Sequence, residues 1–62
     1  MRTGDRQMMY KNAYMQKEEV GEAVLVEKLG DQCIKGIRLE CWSVHFIGHP
    51  EGEFHTRWVR AK

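Results

Sequence analysis

The segment WSVHFIGHPEGEFHTRWV, residues 42–59, carries the clearest fold signal in the chain. Large apolar residues alternate with smaller or polar ones at its start, which is typical of a strand with one buried face. Residues 48–53 follow as a turn, because Pro50 sets φ at about −65° and glycine tolerates positive φ. The alternation resumes over residues 54–59. This segment therefore predicts two antiparallel strands joined by a turn.

The preceding segment, residues 18–29, also favours a strand. Its run AVLV at residues 23–26 is rich in the residue types that strands prefer. A single helix over the same residues is the alternative, but Gly21 and three valines weigh against it. Gly30-Asp31 then predicts a turn at the end of this strand.

Residues 32–47 are too many for one ordinary strand, since strands usually span about 3–10 residues. A break inside this stretch is therefore expected. Gly36 could mark a bend or bulge, because glycine within a strand pattern often does. A tight turn over residues 38–41 is the other position that the sequence allows.

The segment MMYKNAYMQK, residues 8–17, fits two patterns. As a helix, it would place Met9, Tyr10, Ala13 and Tyr14 on one stripe. As a strand, it would place alternate residues on one face. We interpret it as an extra strand or an ordered N-terminal arm, and we expect the polar residues 1–7 to be disordered.

These signals together predict a single mainly β domain over residues 1–62. We expect a small antiparallel barrel of four or five strands, with the N-terminal arm or strand added to it. A meander this short must curl to cover its core and to protect its edges. A chain of this length leaves little room for a deep pocket, which argues against an enzyme.

The charges are unevenly distributed along the chain: both ends are basic and the middle is acidic. This pattern is compatible with a basic surface patch but is not diagnostic of one. Basic residues outnumber acidic ones by four to one over residues 1–17, are outnumbered five to one over residues 18–31, and lead five to three over residues 32–62. The sequence pI is about 7.8. Nucleic-acid-binding domains are typically more basic, with a pI above about 9.

The apolar content predicts a folded soluble protein rather than a membrane or disordered one. The sequence is 42% hydrophobic and 31% charged, which fits a globular domain. Its longest apolar runs fall well short of the roughly 20 residues that cross a bilayer. The polar start MRTGDRQMMY has no apolar signal core, so we expect a cytoplasmic protein.

The stretch VHFIG at residues 44–48, followed by Trp58-Val59, resembles the Tudor-knot and chromo-barrel family. The segments VGEAVLV at residues 20–26 and DQCIKGI at residues 31–37 are similar to the first two strands of that family. The likeness covers about residues 20–60. It implies a Tudor-like barrel that acts as a binding module.

Two departures from that family concern its recognition of methyl-lysine, which requires an aromatic cage around the cation. His49 stands where the family usually has an aromatic residue after the glycine, and Thr56-Arg57 replaces an acidic pair. The resemblance therefore implies the barrel, and not a methyl-lysine ligand. Barrels of this shape also bind DNA, RNA, peptides and other proteins.

Aromatic residues interleaved with basic ones provide the candidate binding site. Trp42 and Phe46 are expected in the core of so small a domain. Trp58 is expected to be partly exposed, because the polar Thr56 shares its face. Stacking on such a residue, with Lys35, Arg38, Arg57 and Arg60 near phosphates, would suit single-stranded nucleic acid. The residues predicted to contact a partner are Trp58, Arg57, Arg60, His45, Tyr10 and Tyr14.

The methionines and tyrosines of residues 8–15 allow two further roles. They form an adaptable surface for a protein partner, since methionine-rich surfaces repack around what they bind. Alternatively, this segment closes the barrel or pairs with a second copy of the chain, which would protect an edge strand. Pairing with a second copy would give a homodimer.

The cysteines and histidines do not form a recognisable metal motif. Cys33, Cys41, His45, His49 and His55 are separated by seven, three, three and five residues, whereas structural zinc sites use closely paired ligands at both ends. We expect no metal and no cofactor, with both cysteines reduced and acting as small core residues. A zinc-stabilised mini-domain is the weakest alternative.

No set of residues fills the roles that an active site requires. Glu51 and Glu53 lie in the predicted turn and are expected to be solvated. The sequence therefore predicts a non-enzymatic binding or regulatory protein whose partner is either a protein, as for an adaptor or inhibitor, or a nucleic acid. The alternative is a homo-oligomeric structural protein whose N-terminal segment pairs with a neighbouring subunit.

Overall fold

The structure is a computed structural model that describes residues 1–61. These residues form one antiparallel sheet of four strands in the order β1-β2-β3-β4. The strands are β1 (Arg6–Asn12), β2 (Lys17–Ile34), β3 (Ile37–Phe46) and β4 (His55–Arg60). Each strand pairs with its neighbour in sequence, so the mainly β class and the four-stranded antiparallel meander are confirmed.

The sheet is open. Strands β1 and β4 are its edges; they approach each other with Cα atoms within 8 Å, but no ladder joins them within residues 1–61. Strand β1 pairs with residues 17–24 of β2, whereas β3 pairs with residues 23–34. This offset along β2 lets β1 meet β4 over only a short stretch, so closure into the predicted barrel is not shown.

Strand β2 is unusually long because it bends instead of turning. The predicted turn at Gly30-Asp31 is wrong: β2 continues to Ile34, and the ladder with β3 shifts register between Leu25 and Glu27 and again between Lys28 and Gly30. A bulge inserts an extra residue that bends the strand and increases its twist. Two bulges thus produce the change of direction that the sequence pattern assigned to a turn.

The break within residues 32–47 is a two-residue hairpin loop at Lys35-Gly36. Ile34 and Ile37 pair directly across it, and Lys35 and Gly36 have φ values of 49° and 81°. Two consecutive positive φ angles define a type I′ turn, whose twist matches that of the flanking strands. The bend expected near Gly36 is therefore confirmed, while residues 38–41 lie inside β3.

The N-terminal segment forms a strand and a loop. Residues 8–12 belong to β1 and residues 13–16 form the turn into β2, so the strand interpretation of this segment is confirmed in its first half. Within residues 1–7, which the sequence predicts to be disordered, Arg6 and Gln7 belong to β1 and the Gly4 N–H donates to the Leu25 carbonyl at 2.8 Å. Backbone hydrogen bonds hold these polar residues without apolar burial.

The core lies on one face of the sheet, called here the core face. Its buried apolar residues come from all four strands: Met9, Ala23, Leu25, Trp42, Val44, Phe46 and Val59. The alternation predicted for β3 is confirmed, since Trp42, Val44 and Phe46 share this face. Glu40 is also buried, and it accepts a hydrogen bond from the Trp42 indole N–H at 2.9 Å. The carboxylate therefore gives the buried indole the partner that it needs.

Alanine substitutions at Gly36 and Gly30 should change stability in opposite directions. An added Cβ at either position would meet no atom within 4 Å, so the difference is conformational. Because Gly36 has a left-handed φ, we expect Gly36→Ala to lower the free energy of unfolding by about 1–2 kcal/mol. Gly30 has no such φ, and Gly30→Ala should raise it by about 0.5 kcal/mol. Urea denaturation measures both; equal losses would contradict the turn assignment.

Candidate functional site

A groove of about 400 Å³ lies between the β1–β2 hairpin and strands β2 to β4. One side consists of the end of β1 and the loop that follows it, and the other consists of residues from the remaining strands. The lining residues are Tyr10, Lys11, Asn12, Ala13, Tyr14, Gln32, Ile34, Leu39, Thr56, Arg57 and Trp58. Tyr14 of the β1–β2 loop and Thr56 of β4 both line the groove although they are 42 positions apart in sequence, so only the fold brings them together.

Most of the strand residues in this groove belong to the face opposite the core, called here the outer face. Leu39 lies directly across from Arg60, and Cys41 lies across from Trp58. Directly opposed residues share a face of the sheet, and neighbours along a strand alternate between faces. Trp42 therefore points to the core face, whereas Trp58 belongs to the outer face and keeps 40% of its surface exposed.

Leu39 is the apolar residue of the groove that is withdrawn from solvent, with 5% of its surface exposed. The outer face of an open sheet would otherwise contact solvent, so other parts of the chain must pack over the Leu39 side chain. Arg60 lies opposite Leu39 in the β3–β4 ladder. Its guanidinium reaches the β1–β2 loop and donates to the Tyr14 carbonyl at 3.4 Å. This long contact links β4 to the loop and helps to position the Tyr14 side of the groove.

The groove carries positive charge and aromatic surface. Lys11 and Arg57 line it, Arg60 lies beside it, and none of its described lining residues is acidic. The guanidinium of Arg57 lies 5.6 Å from the Phe46 ring centroid. Because Phe46 belongs to the core face, Arg57 borders the groove while its charged end points away from Trp58.

The structure brings together five of the six residues predicted to bind a partner. Tyr10, Tyr14, Arg57 and Trp58 line the groove, and Arg60 contacts its loop. His45 is separate: its Nδ1 lies 3.0 Å from the Glu53 carbonyl oxygen, so it holds the β3–β4 loop.

The other two basic residues considered for phosphate contact lie outside the groove lining. Lys35 is in the type I′ turn, and an Arg38 guanidinium nitrogen lies 3.7 Å from an Asp31 carboxylate oxygen.

Sequence reasoning missed several lining residues, of which Lys11, Gln32 and Leu39 are the most important. Lys11 stands between Tyr10 and the loop, so its position next to an aromatic residue was the available signal. Gln32 and Leu39 could not be found in this way. They pair directly with each other, and their shared face follows from the register that the type I′ turn at Lys35-Gly36 sets between β2 and β3. The sequence left the position of that turn open between Gly36 and residues 38–41.

A second polar cluster lies at the β3–β4 loop. One carboxylate oxygen of Glu53 is 2.6 Å from His49 Nδ1 and 3.8 Å from His55 Nε2. The hydrogen bond from His49 is the main cause that holds the pKa of the Glu53 carboxyl below its usual value, with smaller contributions from the charges of both histidines. Glu53 was expected to be solvated; its side chain is partly exposed and also contacts both imidazoles.

The two cysteines take no part in this cluster. Cys33 is exposed and Cys41 is half-buried, and both are free thiols. The expectation that both are small core residues is wrong for Cys33, because its position on β2 faces solvent. Among residues 1–61, the grouping of potential metal ligands consists of His49, Glu53 and His55.

None of the described residues belongs to a helix with the length and apolarity that a membrane crossing requires. Comparison of the chain with protein-family models, with curated proteins and with solved structures gives no significant match. The resemblance to Tudor-knot and chromo-barrel domains therefore stays a prediction.

Proposed function

We propose that this protein is a non-enzymatic binding protein that holds single-stranded nucleic acid in the groove between the β1–β2 hairpin and β4. One observation carries the proposal: Tyr10, Tyr14 and Trp58 line the same groove with basic side chains, and none of the described lining residues is acidic. Rings that accept stacked bases and cations that attract phosphates are the two requirements of single-strand binding.

Trp58 is the principal stacking residue in this proposal. It is 40% exposed on the outer face, so a base can reach one side of its indole while the sheet supports it. Tyr10 and Tyr14 are half-buried on the opposite side of the groove. Each stacked base contributes about 1–3 kcal/mol to binding and requires no particular sequence. Because paired bases already stack within a duplex, the groove favours unpaired strands.

Lys11 and Arg60 are the proposed phosphate contacts. Lys11 lines the groove next to Tyr10, and Arg60 borders it at the Tyr14 carbonyl. The 3.4 Å separation of Arg60 from that carbonyl is long for a hydrogen bond, so the guanidinium can exchange it for a phosphate oxygen. Arg57 adds positive charge at the border of the groove, although its guanidinium lies over Phe46.

Fluorescence anisotropy of labelled mixed-sequence oligonucleotides, single- and double-stranded, tests the proposal at two salt concentrations. We expect saturable binding that favours the single strand and weakens as salt is added. Absence of binding at low salt, with a protein shown to be folded by its NMR spectrum, would exclude nucleic acid. We would then assign the groove to the binding of a protein partner.

Neutralising Lys11 should reduce the salt dependence of that binding. For single strands, the slope of log K against log salt falls by about 0.7 for each phosphate contact removed. We therefore expect Lys11→Gln to make the slope shallower by about this amount. Arg38→Gln is the matched control, because it removes one positive charge from the side chain near Asp31, outside the groove lining. Equal slope changes in the two variants would show that only net charge matters.

Self-association is the second candidate, favoured by the open sheet. Strands β1 and β4 are both edges, and exposed edges are templates for pairing with another chain. The N-terminal segment already pairs with β2 of its own chain, so a second copy would add to the free edge of β1. Sedimentation velocity over a range of protein concentrations separates a dimer of this kind from a monomeric binder.

A further inference from the structure

We propose that His49, Glu53 and His55 form a binding site for a divalent transition-metal ion, with Zn²⁺ as the expected occupant. The site is separate from the groove and independent of the function proposed for it. It lies at the junction of the β3–β4 loop and β4, whose first residue is His55. Phe46, a residue of the core face, lies next to it.

The three side chains already have the spacing of a metal site. One ligand atom from each lies within 4.8 Å of the other two, and the Glu53 carboxylate is 2.6 Å from His49 and 3.8 Å from His55. Ligand atoms around a tetrahedral Zn²⁺ lie about 3.3 Å apart, because each is about 2.0–2.1 Å from the ion. Small side-chain rotations are therefore sufficient to place all three atoms around one ion.

Phe46 positions both imidazoles. Its ring centroid lies 5.3 Å from that of His55 in an edge-to-face arrangement and 5.7 Å from that of His49. Phe46 itself is only 6% exposed, so it provides a fixed support. A ligand pair supported in this way loses less conformational freedom on binding a metal than two free surface side chains would.

The loop backbone positions Glu53. Gly48 and Gly52 have φ values of 87° and 84°, which fold the loop into two successive turns. The Glu53 N–H donates to the Pro50 carbonyl at 3.2 Å, and the Glu53 carbonyl lies 3.0 Å from His45 Nδ1. Contacts on both sides of the residue thus fix the point from which its carboxylate reaches His49 and His55.

The ligand set determines the class of metal. Two imidazole nitrogens with one carboxylate oxygen suit zinc, iron, nickel and copper, whereas calcium and magnesium prefer sites made of oxygen atoms alone. Three protein ligands leave a coordination position for water or an anion. A hollow of about 250 Å³ is lined by His49 and His55 together with Val20, Phe46 and Arg57. An anion bound to the metal would therefore lie near a guanidinium.

Zinc titration of the full chain, in competition with a chromophoric chelator, tests the site. The protein carries Cys33→Ser and Cys41→Ser so that no thiol contributes, and the wild-type chain is measured alongside. We expect one Zn²⁺ per chain and shifts of the His49 and His55 ring nitrogens in ¹⁵N NMR spectra. Absence of saturable binding to the folded thiol-free protein would overturn the proposal.

Single substitutions identify the ligands. We expect Zn²⁺ affinity to fall by at least about tenfold in each of three variants: His49→Gln, Glu53→Gln and His55→Gln. Even the loss of a residue that only hydrogen-bonds to a metal ligand lowers metal affinity by about 10- to 100-fold. Glu51→Gln is the matched control, because Glu51 lies in the same loop and is not one of the three grouped residues. If the Glu51 variant loses as much affinity as the others, or if none of them does, the assignment is wrong.

Discussion

Trp42→Ala is expected to leave most of the protein unfolded at 25 °C. Trp42 is 3% exposed, lies in a core of seven buried residues, and directs its indole N–H to the buried Glu40 carboxylate. Truncating a buried tryptophan costs about 3–5 kcal/mol. The core of a domain this small rarely supplies more than roughly 3–5 kcal/mol, so the loss is comparable with the whole stability.

The Trp42 prediction has a matched control in the other tryptophan. Trp58 has the same side chain but is 40% exposed, so Trp58→Ala should lower the free energy of unfolding by only about 1 kcal/mol. Urea denaturation followed by circular dichroism measures both variants. Similar midpoints for the two would mean that the core face has been assigned to the wrong side of the sheet.

Trp42→Phe provides a milder variant that should still fold. It retains most of the apolar volume but removes the donor to Glu40. Among residues 1–61, the Glu40 carboxylate then keeps Lys28 at 3.8 Å as its partner. Removing one partner of a buried hydrogen bond costs about 1–3 kcal/mol. A loss in that range would show that the Glu40–Trp42 contact contributes to stability beyond the packing of the ring.

The same Trp58→Ala variant should lose much of the affinity for single-stranded oligonucleotides. The stacking contribution of one base is about 1–3 kcal/mol, which corresponds to a decrease in affinity of about 5- to 150-fold. The anisotropy of a labelled oligonucleotide is the appropriate signal, because it does not depend on the tryptophan that is removed. Trp58→Phe, which keeps an aromatic face, should recover part of the loss.

Phe54→Ala is the control for that binding experiment. Phe54 is an aromatic residue with 56% of its surface exposed, yet it does not line the groove. Its removal should leave the affinity unchanged. If Phe54→Ala and Trp58→Ala weaken binding equally, the ligand does not occupy the groove, and a diffuse contact with exposed aromatic residues would explain the data better.

Part of the candidate site could be predicted because aromatic and basic residues indicate a binding surface even when their positions in the fold are unknown. Trp58 and the arginines of β4 follow from the mixture of aromatic and basic residues, and the two tyrosines follow from the methionine- and tyrosine-rich segment at residues 8–15. The prediction that Trp42 is buried and Trp58 partly exposed followed from alternation and from the polar neighbour Thr56, and both are confirmed. His45, the sixth predicted contact residue, lies outside the groove because its ring contacts the β3–β4 loop.

The cluster of His49, Glu53 and His55 shows what spacing in sequence cannot reveal. Structural zinc motifs are recognised by closely spaced cysteines and histidines, a pattern that does not include Glu53. In the structure, His49 and Glu53 lie four residues apart in a loop, and His55 begins β4. The loop turns back at Gly52, so residues that a strand pattern would separate come within 4.8 Å.

Local sequence patterns are sufficient to predict the antiparallel strands, the turn over residues 48–53, the bend at Gly36 and the buried face of β3. These features depend on alternation and on glycine or proline at turns, which act over a few residues. Long-range packing accounts for three other features: β2 passes through Gly30, the sheet stays open, and the β1–β2 loop lines the same groove as Trp58. Those outcomes depend on bulges and strand offsets, where one extra residue changes the register of everything beyond it.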